Sequence, residues 1–311
     1  MTVAWATPSR RLPEATEATM CRLFGMSSAP RRADATFWLL DAPDSLLTQS
    51  QREPDGTGLG TFDENGDPDV ERWPIAAYQD KAFISAARDR CATTFIAHIR
   101  YASQGPAAER NTHPFRQRDR LFAHNGVLGG LDLLERELGD DLSLVRGDTD
   151  SERFFALITR YAEEADDVTA AITRAARWAA ANLPLYALNI VMTTATDLWA
   201  LRYPDTHPLY LLRRDGDENG TARLHHVSPV GTLQVHCGEL VDGATVVASE
   251  RMDDDPGWRL LRAGELVHVD GSGRLDSHQA LTGAPRYPLR LTDLGSHAAA
   301  SQTAAQSAAG A

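Results

Sequence analysis

The sequence predicts an α/β fold built as two sheets with helices on their outer faces, and three observations lead there. Strand-like blocks come first, helices with apolar residues three or four positions apart fill the middle, and a second run of strands begins at Tyr186. Strands, then helices, then strands is not the alternation of a parallel doubly wound sheet. At 311 residues and 42% apolar content, the chain can bury a sizeable core as one large domain or two modest ones.

Taken in order, the apolar run from Met20 to Gly25 reads as a strand that starts at Cys21. Residues 34–50 hold Phe37, Trp38, Leu39, Leu40, Leu46 and Leu47 around Pro43, which predicts two short helical pieces. Pro54-Asp55-Gly56-Thr57-Gly58-Leu59-Gly60 reads as a glycine-rich turn, and it lacks the lysine and Ser/Thr that would end a phosphate-binding loop. Asn65-Gly66 between apolar runs predicts a hairpin. Residues 93–100 are β-rich and run into a polar loop, 101–118, that contains Asn111-Thr112-His113-Pro114. A strand followed by such a loop is a common setting for a site.

A further strand, 120–124, meets Asn125-Gly126, a pair that on its own also fits a type I′ turn. Helices are predicted over 131–138, 151–161 and 168–181, and strands over 186–192, 198–203, 209–212, 224–227, 245–249 and 266–269. From about Leu291 the chain is rich in Ala, Ser and Gln, and a disordered tail is expected over 291–311.

The net charge of -12, with no basic block to offset it, argues against nucleic acid or an anionic membrane surface as partner and for a small-molecule substrate. No apolar run reaches the ~18 residues needed to span a bilayer. Cys21, Cys91 and Cys237 are far apart and odd in number, which predicts three free thiols in a reducing, cytoplasmic setting. His225, His226, His236 and Cys237 lack ligand spacing, so neither a metal nor a cofactor is expected. Residues 1–19 lack the apolar centre of an export signal and are expected to be a leader, from a mis-assigned start or as a propeptide.

The organising feature is Met20-Cys21. Removal of everything through Met20 would give Cys21 both a thiol and a free α-amine, which titrate near 8.5 and near 8 respectively, so nucleophile and base would sit on one residue. The alternative for an isolated cysteine beside Leu23 and Phe24 is a small buried hydrophobe.

Cys21, the Asp55-Gly56-Thr57-Gly58 segment, Ala97-His98-Ile99-Arg100, Asn111-Thr112-His113-Pro114, His124-Asn125-Gly126 and Gly147-Asp148-Thr149-Asp150 occur in an order that resembles the class II glutamine amidotransferases. Their glutaminase domain is of the N-terminal nucleophile hydrolase type. Met20-Cys21-Arg22 and Val246-Val247-Ala248-Ser249-Glu250 are similar to the small stand-alone branch, which includes the γ-glutamyl amide hydrolase of ergothioneine biosynthesis.

The resemblance covers about residues 20–269 and implies a four-layer αββα sandwich, with a glutaminase-like domain at 20–290. It implies hydrolysis of the side-chain amide of glutamine or a γ-glutamyl amide through a thioester on Cys21, with Asn125 and Gly126 forming the oxyanion hole. Arg100 would hold the substrate α-carboxylate, Asp150 its α-ammonium, and His113 would lie beside the pocket.

Each has a plainer reading: Arg100 as a strand-end arginine, His113 as a turn residue, and Asp150 within a capping box from Thr149 to Glu152. Thr57 departs from the aromatic residue that relatives often carry in that turn. Two other functions stay open at this level, an ammonia-supplying subunit with a synthase partner and a non-catalytic glutamine-binding protein with a blocked Cys21.

Overall fold

The computed structural model describes residues 19–51, 56–100, 108–214, 243–300 and 302–303. In chain order the strands are β1 (Thr19–Met20), β2 (Arg22–Ser27), β3 (Gly56–Phe62), β4 (Pro68–Trp73), β5 (Thr94–Arg100), β6 (Phe115–Gln117), β7 (Arg120–Leu128) and β8 (Pro184–Thr193). They continue as β9 (Leu198–Leu201), β10 (Tyr210–Arg213), β11 (Thr245–Ala248), β12 (Arg259–Leu260), β13 (Glu265–Val269), β14 (Leu275–Gln279), β15 (Tyr287–Pro288) and β16 (Gln302–Thr303). The helices are α1 (Leu46–Gln49), α2 (Lys81–Asp89), α3 (Leu131–Leu138), α4 (Asp150–Ala165), α5 (Val168–Asn182) and α6 (Ser296–Ala300).

One antiparallel sheet runs β12-β10-β11-β2-β5-β3-β4 and the other β14-β13-β9-β8-β7-β6, with β15 added parallel to β8. Side chains alternate across each strand, and that alternation builds four layers. Phe24, Phe95, Ala97, Val246 and Ala248 point outward to α1, α2 and a π-helical segment at Phe37–Asp41. Their neighbours Leu23, Ile96 and Val247 point inward, where they meet Leu121, Ala123, Val191 and Ala200 of the second sheet. The opposite faces of that sheet, Phe122, Ile190, Met192, Trp199 and Leu201, pack on α3, α4 and α5. The result is the predicted αββα sandwich.

The predicted pair of helical pieces over 34–50 appears as the π-helical segment and α1, and Gly66 closes the β3–β4 hairpin at φ 85°. Four expectations are corrected. The glycine-rich stretch is strand β3, not a turn, because its glycines serve the gap between sheets: a Cβ at Gly58 would lie 1.9 Å from the His113 carbonyl oxygen. Asn125-Gly126 lies inside β7, paired with Asn189 and Leu188, so it is no hairpin turn.

The capping box is half formed. Thr149 accepts from the Glu152 amide at 3.3 Å, but Glu152 Oε2 turns to the Gly147 amide at 2.6 Å. Cys91 is disulfide-bonded, which an odd cysteine count still permits, whereas Cys21 is in no disulfide. The predicted strand at 224–227 and the histidines at 225, 226 and 236 lie outside the described residues. Within the described residues no helix is long and apolar enough to cross a membrane, and no group of three His, Cys, Asp or Glu side chains could hold a metal.

Candidate active site

Cys21 stands at the head of β2, between the central strands β11 and β5, and is buried. The segment after β11 holds it from the side: Leu23 exchanges bonds with Ser249, donating its amide to Oγ at 2.9 Å and accepting from the Ser249 amide at 3.0 Å. Arg22 pairs with Glu250 at 2.9 Å. Ser249-Glu250, noticed in the sequence as a motif, thus fixes the backbone on which the thiol is mounted.

From the facing sheet, β7 brings Asn125, whose Nδ2 donates to the Cys21 carbonyl oxygen at 2.9 Å. Gly126 follows, and only glycine fits: a Cβ there would lie 1.9 Å from the Ala187 carbonyl oxygen. Asp150 opens α4, where both carboxylate oxygens accept backbone amides, from Leu128 at 2.8 Å and Ser151 at 2.9 Å. An acid in a helix's first turn is stabilised by the amide dipoles there.

Cys21, Arg100, His113, Gly126 and Asp150 line one cavity of about 20 Å³, with Asn125 fastened to its edge. All six predicted site residues are therefore brought together, although they come from five separated places in the chain. Sequence reasoning missed Asn111, Thr149, Ser151 and Gln302 in the same wall, and assigned His98 and His124 no part in it. The alternation of β5 and β7 was the available signal for those two histidines, because each shares a strand face with a site residue two positions away, His98 with Arg100 and His124 with Gly126.

Gln302 is the least expected of them. Strand β16 pairs antiparallel with β1, setting Gln302 opposite Met20, the residue before Cys21. Its side chain is buried in the cavity wall, where Oε1 accepts from His207 Nε2 at 2.8 Å. Residues 291–300 carry a 3₁₀ turn and α6 just before it. Backbone pairing of this kind needs no large apolar side chain, so composition gave no hint of it.

Residues 20–285 match the family described as glutamine amidotransferases class-II. The chain belongs to that family. It is 28% identical over 277 residues to the gamma-glutamyl-hercynylcysteine sulfoxide hydrolase of Mycolicibacterium smegmatis, covering 85% of this chain and 99% of the relative. Among solved structures it is similar to a glutamine aminotransferase class-II domain protein from Silicibacter pomeroyi, with a TM-score of 0.57 at 19% identity over 83% of this chain and 99% of that one. It is also similar to the glutamine phosphoribosylpyrophosphate amidotransferase of Bacillus subtilis, with a TM-score of 0.59 at 19% identity, covering 85% of this chain and half of that longer one. The chain is thus an amidotransferase-family enzyme with amidohydrolase chemistry.

In this amidotransferase the histidines of the cavity are held neutral. Burial, aided by the nearby Arg100, depresses the His98 pKa to about 3, and burial drives His113 well below 6.5. Their rings lie 4.3 Å apart; His98 meets the backbone of His124, and the His113 ring nitrogens have no hydrogen-bond partner among the described residues. Asn125 Oδ1 likewise has no partner among the described residues. Buried polar atoms left open around a cavity suit a polar ligand. His124 is lowered by burial too, and its contacts fix the tautomer: Nε2 donates to the Ala187 carbonyl at 3.3 Å, leaving Nδ1 to accept from Ser151 Oγ at 2.9 Å.

Proposed function

We propose that the enzyme hydrolyses the side-chain amide of glutamine or of a γ-glutamyl amide, with Cys21 as nucleophile. The observation that carries this reading is the single buried cavity that gathers the thiol, a guanidinium, a carboxylate and the Asn125-Gly126 pair from both sheets. Sγ of Cys21 attacks the amide carbon, and its proton passes through the α-amine of Cys21 to the departing nitrogen. Ammonia, or the amine of a γ-glutamyl amide, leaves. Water then hydrolyses the thioester to the free γ-carboxylate and regenerates the thiol. Asn125 Nδ2 has two protons, one bound to the Cys21 carbonyl and one left for the oxyanion, with the Gly126 amide beside it. Arg100 takes the α-carboxylate as a two-pronged donor, Asp150 takes the α-ammonium, and His113 closes the wall.

Two changes must precede turnover. The Met20–Cys21 peptide bond must be cleaved to free the amine. The cavity of about 20 Å³ holds roughly one water, so the β1–β16 pair must also separate before a glutamine can enter. We read residues 20–290 as the catalytic domain.

The test is the intact mass of protein expressed from its native upstream region, before and after a glutamine-shaped diazoketone electrophile. A mass beginning at Cys21 with one adduct, lost in Cys21→Ser, is expected. An unprocessed leader with no adduct would sink the reading in favour of a binding protein. A rise in glutaminase activity on adding a synthase would instead identify an ammonia-supplying subunit.

A further inference from the structure

A second cavity, of about 860 Å³, lies where the outer edges of the two sheets meet, β4 being the last strand of one and β6 of the other. Arg116 of β6 bridges these edges by donating to the Pro68 carbonyl of β4 at 3.1 Å. The wall collects five guanidiniums from five places: Arg72 on β4, Arg110 in the turn before β6, Arg116, Arg118 between β6 and β7, and Arg146 ahead of α4. Against them stand two carboxylates, Glu109 and Glu152, and Glu152 already accepts the Gly147 amide. In a chain of net charge -12 this concentration of positive charge runs against the average. A concave wall with an excess of one sign focuses its field.

Arg110 is paired with Asp148 at 3.1 Å and Arg118 with Glu163 at 2.6 Å. Arg72, Arg116 and Arg146 have no carboxylate within ion-pair distance among the described residues, and Arg72 reaches only the Glu109 carbonyl, at 3.5 Å. Burial lowers the Arg72 pKa from its ordinary value, and Arg146 pushes the same way against Glu109 and Glu152. Guanidinium stays charged under such pressure. The segment 146–152 also links the cavities: Arg146 and Glu152 face this one, while Thr149, Asp150 and Ser151 face the cavity of Cys21. Asn111 ties the two together, accepting from the Asp148 amide at 2.9 Å while its own amide donates to the Asp148 carboxylate.

We propose that this cavity binds a small molecule with two or more anionic groups, phosphate or carboxylate, and that its occupant sets the position of the 146–152 segment. The volume is that of a small-molecule site. Forked guanidiniums are the donors that suit such groups.

Calorimetric titration of the full chain with inorganic pyrophosphate and, separately, citrate, at matched ionic strength against sodium chloride, tests the first half. Saturable binding of at least one is expected, weakened at least about tenfold in Kd by Arg72→Gln with Arg146→Gln. The phosphate and carboxylate sources are told apart by which probe binds. Should the double variant fail to fold, exposed Arg116→Gln is expected to weaken binding in the same direction. Binding of neither probe, or equal binding by the variants, would overturn the site.

The second half rests on the glutaminase reading. The probe that binds is expected to shift KM for glutamine at unchanged kcat in the parent and not in the double variant. An unchanged KM on saturation would overturn the coupling while leaving the calorimetry to judge the site.

Discussion

The two cavities share one segment of chain yet treat ionisable groups in opposite ways. Around Cys21 the space is small and closed, and imidazoles that could titrate near neutrality are held uncharged, His98 with a pKa of about 3. Between the sheet edges the space is large, and guanidiniums that cannot lose their charge are left facing it. Burial selects by residue type: an imidazole escapes desolvation by releasing its proton, whereas a guanidinium must be solvated or matched by an anion. One cavity therefore pairs a single guanidinium and a single carboxylate with neutral imidazoles, and the other gathers an excess of guanidiniums.

The largest expected effect that would break this contrast lies at the nucleophile. Cys21→Ala should lower glutamine hydrolysis by on the order of 10⁴-fold or more, with an unchanged circular dichroism spectrum, and persistent ammonia release would refute the assignment. Asn125→Ala should cost about 100- to 1000-fold in kcat with little change in KM, as expected for a donor that acts on the developing oxyanion. A variant that lost KM alone would mark Asn125 as a positioning residue for the Cys21 backbone.

Deleting residues 296–311 from protein that begins at Cys21 should lower KM for glutamine about tenfold, because the Gln302 strand no longer competes for the site. An unchanged KM would mean that the strand leaves with the leader. A different kind of effect is a pH slope in stability. The folded-state pKa values of His98 and His207, about 3 and about 4, lie below the unfolded value of 6.5, so the folded state binds fewer protons. Stability should be full above pH ~6.5 and fall as pH drops toward 4, by up to ~1.4 kcal/mol per pH unit for each such histidine. Thermal melts across that window would check it, and His207→Gln should flatten the slope.

Much of the fold was legible. Helices α3 and α5 fall where the 3.6-residue period placed them, and β8, β9 and β13 where the two-residue period did, because those elements bury one continuous face or alternate across two cores. Helix α2 was not foreseen. Only Phe83, Ala86 and Ala87 of its nine residues are buried, and alanine carries a weak apolar signal. Strand β3 was masked by its own glycines, whose purpose, close approach to His113 and Pro114, exists only once the second sheet is in place.

The sequence by itself determined which chemistry the chain could hold: a cysteine directly after a methionine, an arginine, an acid and an Asn-Gly pair in a telling order. Those are local properties of residue type. Tertiary structure alone decided that these groups meet in one closed space, that His98 and His113 lose their charge there, that Gln302 reaches the wall from the far end of the chain, and that five arginines converge between two sheet edges. Each depends on the packing of segments distant in sequence, and no periodicity or spacing along the chain encodes the distance between them.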